Sequence, residues 1–132
     1  MSEETRWKQR LRNFEASLNL LEMALDIAEP DLVQRAGLIQ FYEMAFELSW
    51  KTLKDFLEAK GFLELRGPRD VLKLAFNEGL IDDGHLWMKA LEDRNLTSHT
   101  YDENTAQQIE VLIRNYYANL LRLLKSKLLS LT

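Results

Sequence analysis

The chain has no cysteine, which excludes disulfide bonds, thiolate nucleophiles and zinc–thiolate sites. It has two histidines, His85 and His99, so an all-histidine metal site cannot be built within one chain. We therefore expect neither a bound metal nor a cofactor. The missing thiols also fit a reducing compartment such as the cytoplasm.

Glycine, proline and long apolar runs are scarce as well. Only five glycines and two prolines occur among 132 residues, whereas the helix formers Leu, Glu, Lys and Ala are abundant. No apolar run approaches the ~20 residues of a membrane-spanning helix, and the acidic N-terminus does not resemble a signal peptide. We expect residues 1–132 to form one all-α domain of a soluble cytoplasmic protein without a membrane partner.

Apolar side chains recur at the three- and four-residue spacings of amphipathic helices, and they predict five helices. The predicted helices run from Thr5 to about Ala28, from the cap Asp31 to Lys60, from Pro68 to Gly79, from the cap Asp82 or Asp83 to near Thr97, and from Asn104 or Thr105 to about Leu129. The short connections favour an antiparallel up-and-down bundle of four longer helices plus one short helix.

The same spacings predict which faces are buried. In the third helix the inward residues are Val71, Leu72, Ala75 and Phe76. In the fifth helix they are Ile109, Leu112, Ile113, Tyr116, Leu120, Leu123 and Leu124.

The stretch from Arg94 to Tyr101 combines a histidine with a permanent cation. Histidine titrates near neutral pH, and the planar guanidinium of arginine fits phosphate oxygens, so Arg94 and His99 suit phosphate chemistry. Positions 94 and 99 lie about 140° apart on an α-helix, so both can serve one site only if the helix ends or distorts between them. We expect the helix to fray near Thr97.

Each of these residues also has a purely structural interpretation. Arg94 can pair with Glu92 or Asp93 at the helix surface, and His99 can cap a helix C-terminus. Tyr101 can be an amphipathic residue at the rim of the bundle or of a dimer. The chemistry of the side chains leaves both interpretations open.

Two glutamates on the otherwise apolar second helix, Glu43 and Glu47, stand one turn apart. They can face a cleft, where they would bind a metal pair or hold Arg94 in position. The alternative is a partly solvated face on which Lys51 and Lys54 are their neighbours.

The charges are distributed unevenly along the chain. The net charge of −4 argues against generic affinity for nucleic acids. Residues 82–110 carry seven acids and two bases, whereas residues 51–73 carry six bases and four acids. The candidate stretch therefore lies in acidic sequence.

Arg94, Asn95, His99 and Tyr101 form a pattern, R-x4-H-x-Y, that resembles the signature of HEPN-domain proteins. More narrowly, the chain resembles the HepT-like group, also named nucleotidyltransferase substrate-binding proteins, which are encoded beside a minimal nucleotidyltransferase. The resemblance covers most of the chain and includes Arg6-Trp7, Leu11 to Glu15, the E-x3-E-x2-W-K-T-L-K run within Phe41 to Leu57, Pro68-Arg69-Asp70-Val71, and Asp82 to Tyr101.

The resemblance implies a helical bundle and a toxin of a toxin–antitoxin pair that acts as a metal-independent endoribonuclease. Arg94 and His99 match the catalytic pair: His99 would assist attack of an RNA 2′-hydroxyl on the adjacent phosphate, and Arg94 would stabilise the developing charge. Asn95 would orient the phosphate or the imidazole. Because cleavage needs a base and an acid and each chain offers one credible histidine, we expect a homodimer or a higher even oligomer that shares its site.

Tyr101 matches the tyrosine that the partner nucleotidyltransferase adenylylates in HepT-like toxins, and the added nucleotide would exclude RNA by sterics and charge repulsion. An alternative is a non-catalytic substrate-binding subunit of a two-component nucleotidyltransferase, which the acidic surroundings favour. A third is a nucleotide-sensing bundle without turnover.

Overall fold

The computed structural model describes residues 2–96 and 101–132, and it confirms the predicted all-α bundle. The helices are α1 (Glu3–Leu25), α2 (Leu32–Ala59), α3 (Pro68–Asn77), α4 (Gly84–Asn95), α5 (Glu103–Leu112), a π-helical turn (Ile113–Tyr117) and α6 (Ala118–Ser130). The last three follow one another without a break and form one long C-terminal helix. In the described part of the chain, every helix is too short or too polar to span a bilayer.

Several helix boundaries follow directly from local sequence. The Asp31 carboxylate accepts a hydrogen bond from the Gln34 backbone N–H (2.8 Å), and the Gln34 side chain accepts one from the Asp31 N–H (3.0 Å), so the two form a capping box. Pro68 occupies the first turn of α3, where its missing N–H costs nothing. Gly61 and Gly79 follow α2 and α3 with φ of 99° and 76°, a region that favours glycine.

A distant residue binds the end of α1. α1 ends at Leu25 rather than near Ala28, and Arg114 donates hydrogen bonds to the carbonyls of Leu25 (2.8 Å) and Ile27 (2.7 Å). These carbonyls lie at the C-terminal end of the helix, where cations are favoured. This contact, made by a residue 89 positions away, could not be read from local sequence.

The C-terminal helix buries a face that differs in part from the predicted one: Ile109, Ile113, Leu120 and Leu124 are buried as predicted. Four buried residues lie at successive steps of four: Ile109, Ile113, Tyr117 and Leu121. In a regular α-helix the first and last of these residues would point about 120° apart and could not share one face. The wider π-helical turn offsets most of this rotation, so all four side chains face the core. The prediction that Tyr116 and Leu123 point inward is therefore wrong, since they are 51% and 57% exposed.

The prediction that Phe76 is buried is also wrong. Val71, Leu72 and Ala75 are buried, but the Phe76 side chain is 49% exposed. It covers the start of α4 instead: a Cβ atom added to Gly84 would lie 3.3 Å from the Phe76 ring.

A buried carboxylate, Glu110, links α2 to the C-terminal helix. Arg35 Nε and Arg114 Nε each donate to it at 2.7 Å, and Arg35 also donates to Glu103. Burial alone would raise the pKa of Glu110, but the hydrogen bonds and charges of the two arginines outweigh it, so the pKa lies below its ordinary value. The network joins α2 and the α1–α2 connection to the C-terminal helix.

We predict that Glu110→Gln destabilises the fold by about 3 kcal/mol, because it removes the buried carboxylate that Arg35 and Arg114 share. Denaturant unfolding monitored by circular dichroism measures this change. Glu22→Gln is the matched control, since Glu22 pairs with Arg122 and both side chains are 42% exposed. The control should cost about 0–1 kcal/mol. Equal losses in the two variants would contradict the role assigned to Glu110.

The difference between wild type and Glu110→Gln should depend on pH. Because the folded pKa lies below the ordinary value of 4.5, the stabilisation is fully present above about pH 4.5. It is lost as the pH falls through the folded pKa. The two unfolding free energies should therefore converge in acid, and a constant difference would contradict this assignment.

Candidate functional site

Arg94 lies in the last turn of α4, which ends at Asn95 with Leu96 as its cap. The helix thus ends between positions 94 and 99, as the predicted site requires. His99 lies outside the described residues, together with Thr97, Ser98 and Thr100. The predicted cooperation of Arg94 with His99 stays a prediction.

The structure brings Arg94 together with both candidate glutamates of α2. Arg94 Nη1 lies 3.9 Å from Glu43 Oε2, and Arg94 Nε lies 3.9 Å from Glu47 Oε2. The side chain of Arg94 is 30% exposed. Such long, partly solvated ion pairs are worth about 0–1 kcal/mol each, so a phosphate can compete with the glutamates for the guanidinium.

Glu47 also makes the contacts of the structural alternative. Lys51 Nζ lies 3.5 Å from Glu47, and Trp50 Nε1 donates to it at 3.2 Å. In the described part of the chain, no three His, Asp or Glu side chains converge as metal ligands. Glu47 is thus shared between Arg94 and its helical neighbours.

Two buried tyrosines position the turn that carries Arg94. The Tyr42 hydroxyl donates to the Ala90 carbonyl at 2.8 Å, and the Tyr117 hydroxyl donates to the Asp93 carboxylate. The two rings stack with centroids 5.8 Å apart. These contacts link α2, α4 and the π-helical turn around the base of Arg94.

Both tyrosines remain protonated donors. Burial is the largest cause that raises the pKa of Tyr117, followed by its hydrogen bond with Asp93 and the charge of that residue. Burial also raises the pKa of Tyr42, and nearby Tyr117 and Asp93 add to the effect. Sequence reasoning missed this pair; the one available signal was that a buried tyrosine hydroxyl usually needs a partner.

Asn95 faces a different surface from Arg94, since consecutive helical residues point about 100° apart. It lines a groove of about 350 Å³ between α4 and the start of α3. The other lining residues are Arg66, Gly67, Pro68, Arg69, Asp70 and Leu91. Sequence reasoning missed the two arginines as site residues, and the signal available was the excess of bases in residues 51–73.

Tyr101 is 86% exposed. It borders a hollow of about 260 Å³ formed with Leu32, Ala36, Glu103 and Ala106. Ala36 and Glu43 are seven residues apart on α2, about 10 Å along the helix axis. Tyr101 and Arg94 therefore both lie beside α2, at positions about two helical turns apart.

Comparisons with known proteins agree with this architecture. Residues 9–130 match the family described as nucleotidyltransferase substrate binding protein like. A Haemophilus influenzae protein named "Probable ribonuclease HepT" is 33% identical over 102 residues, which cover 74% of this chain and 68% of that protein.

Two solved structures resemble the chain over most of its length. A crystal structure of a Thermus thermophilus protein matches with a TM-score of 0.81 and 34% identity, covering 87% of this chain and 98% of that one. A Haemophilus influenzae structure, described as the fold of a substrate-binding domain of a nucleotidyltransferase, matches with a TM-score of 0.76 and 30% identity, covering 89% and 98%. The resemblance inferred from the R-x4-H-x-Y pattern is thus confirmed: the chain belongs to the nucleotidyltransferase substrate-binding protein family, within the HepT-like group.

Proposed function

We propose that the protein is a HepT-like HEPN toxin, a metal-independent endoribonuclease that a partner minimal nucleotidyltransferase neutralises. The observation that carries this proposal is the placement of Arg94. Its guanidinium is partly exposed and lies beside α2, at the end of α4. In the sequence, Arg94 is the first residue of the R-x4-H-x-Y pattern. The relative named as a ribonuclease supports the same activity.

In the proposed reaction His99 accepts the proton of an RNA 2′-hydroxyl, and the oxygen attacks the neighbouring phosphorus. The bond from phosphorus to the 5′-oxygen breaks, and an imidazolium returns a proton to that leaving oxygen. The products are a 2′,3′-cyclic phosphate and a 5′-hydroxyl. Arg94 stabilises the extra negative charge on the phosphate oxygens, and Asn95 orients the strand.

The base and the acid are best supplied by two copies of His99, so we propose a homodimer or a higher even oligomer with a shared site. The basis is chemical, since the other histidine, His85, lies at the opposite end of α4 from Arg94. A closed two-fold arrangement brings equivalent residues of two chains together.

We propose that the partner transfers an adenylyl group from ATP to Tyr101. The phenol oxygen attacks the α-phosphorus and pyrophosphate leaves, which adds a nucleotide with one negative charge. The high exposure of Tyr101 supports this role, and the hollow beside it offers the apolar side chains of Leu32, Ala36 and Ala106. A nucleotide there would compete with RNA for the surface along α2.

A non-catalytic substrate-binding subunit is the second candidate. Two observations favour it: Glu43 and Glu47 offset the charge of Arg94, and one structural neighbour is described as a substrate-binding domain of a nucleotidyltransferase.

We expect His99→Ala to lower RNA cleavage by roughly 10²-fold or more, since it removes the proton-transfer group. Arg94→Lys should also impair cleavage, because lysine keeps the charge but loses the planar fork of donors. Gel assays on labelled RNA measure both effects. Matched controls are His85→Ala, at the other histidine, and Arg122→Lys, at an exposed ion pair with Glu22.

EDTA should leave wild-type cleavage unchanged, and the variants should keep their circular dichroism spectra. Equal cleavage by wild type and His99→Ala, or no cleavage of any RNA tried, would favour the substrate-binding candidate.

The shared site can be tested by mixing chains. Wild type and His99→Ala, refolded together in equal amounts, should retain about one quarter of wild-type activity if each site needs two His99 residues. Independent sites would retain about one half. The second result would eliminate the shared site and leave a one-histidine mechanism.

Incubation with the cognate nucleotidyltransferase and ATP should add an adenylyl mass to the peptide that contains Tyr101. Tyr101→Phe should remain unmodified, whereas the control Tyr116→Phe, at a half-exposed tyrosine, should react like wild type. Mass spectrometry of the digested protein measures the outcome. Modification at a different residue would refute the assignment.

A further inference from the structure

The groove beside Asn95 concentrates positive charge next to an otherwise acidic motif. Arg66 and Arg69 both line it and both are exposed. In the described part of the chain neither makes an ion pair, as is also true of the exposed Arg6 and Arg12, whereas Arg10, Arg35, Arg114 and Arg122 are paired. Asp70 is the single carboxylate in the lining, so two positive charges face one negative charge.

We propose that this groove binds the RNA backbone, with Arg66 and Arg69 holding phosphates adjacent to the one held at Arg94. The inference rests on the proposed function and adds a substrate subsite to it. The connection to the site is covalent: Asn95 lines the groove and directly follows Arg94 in the last turn of α4. Because the side chains of Arg94 and Asn95 point about 100° apart, a strand whose scissile phosphate lies at Arg94 enters the groove by bending around the end of α4.

The chemistry of the lining fits a phosphodiester. Arginine presents a planar fork of donors that can bind two phosphate oxygens at once. The amide of Asn95 offers both a donor and an acceptor to the sugar or the base. Backbone N–H groups in the first turn of α3 add to these donors, since Gly67 provides no side-chain cap.

The groove also explains how an acidic protein can bind RNA. The net charge is −4 and the motif lies in acidic sequence, so affinity cannot come from a generally basic surface. The fold brings two arginines and one aspartate, a net positive charge, from the α2–α3 connection and the start of α3 to the end of α4. Phosphate contacts of this kind position a strand without reading its sequence, so the groove sets the register of cleavage.

The test measures binding of a fluorescein-labelled single-stranded 2′-O-methyl RNA, which lacks the attacking hydroxyl, by fluorescence anisotropy at several salt concentrations. The variant Arg66→Gln with Arg69→Gln should weaken binding by roughly tenfold or more. The slope of the logarithm of the binding constant against the logarithm of the salt concentration should become shallower by about 1.4, the value for two phosphate contacts. On cleavable RNA, KM should rise more than kcat falls.

The matched control is Arg6→Gln with Arg12→Gln, which removes two exposed arginines of α1 and makes the same change in net charge. It should leave the affinity within about twofold and the slope unchanged. Arg66→Lys with Arg69→Lys should keep most of the slope, and unchanged thermal melting excludes misfolding. If both double glutamine variants lose RNA affinity equally, or if wild type does not bind the RNA, the proposal that the groove binds RNA is wrong.

The outcomes separate this inference from the ribonuclease proposal. If wild type binds RNA through Arg66 and Arg69 but does not cleave it, the groove proposal is supported and the ribonuclease proposal is wrong. If wild type cleaves RNA and the double glutamine variant of the groove binds and cleaves like wild type, the ribonuclease proposal is supported and the groove proposal is wrong.

Discussion

The position of Arg94 depends on two buried hydroxyl groups. Tyr42 of α2 holds the Ala90 carbonyl, and Tyr117 of the π-helical turn holds the Asp93 carboxylate, one residue before Arg94. Because both hydroxyls are buried, a misplaced α4 would leave polar groups without partners, at a cost of about 1–3 kcal/mol each. The bundle can therefore present Arg94 in a defined place although α4 is a helix of only 12 residues.

The buried and half-buried arginines and their carboxylates follow the same principle of compensation. Glu110 has two arginine partners, and Arg94 lies between two glutamates. These contacts connect α2 with the C-terminal helix and with α4. The exposed arginines of the groove beside Asn95 have no such partner among the described residues, which leaves both guanidinium groups available to a phosphate.

The proposed functions use the long helix α2 as a common platform. Glu43 and Glu47 meet Arg94 in its middle, and Leu32 and Ala36 border Tyr101 near its start. A ribonuclease that is silenced at Tyr101 and a subunit that presents a substrate to a nucleotidyltransferase would both use this face. The weak, long ion pairs of Arg94 are compatible with either, since a phosphate of the ligand can replace the glutamates.

The amino-acid sequence by itself determined the all-α class, the number of helices, the cap at Asp31, and the family. These features depend on local spacing, on turn residues and on the R-x4-H-x-Y pattern, all of which can be read along the chain. It also identified Arg94 and the two glutamates as possible partners, because helical spacing placed Glu43 and Glu47 on one face.

Only the tertiary structure decided which residues from distant segments meet. Arg114 binds the end of α1, the π-helical turn shifts the buried face of the C-terminal helix, and Tyr117 supports α4. The packing of the helices likewise places Arg66 and Asn95 in the lining of one groove. Such contacts have no periodic signature, because their energy comes from burial and hydrogen bonding between helices, and these exist only once the helices have packed.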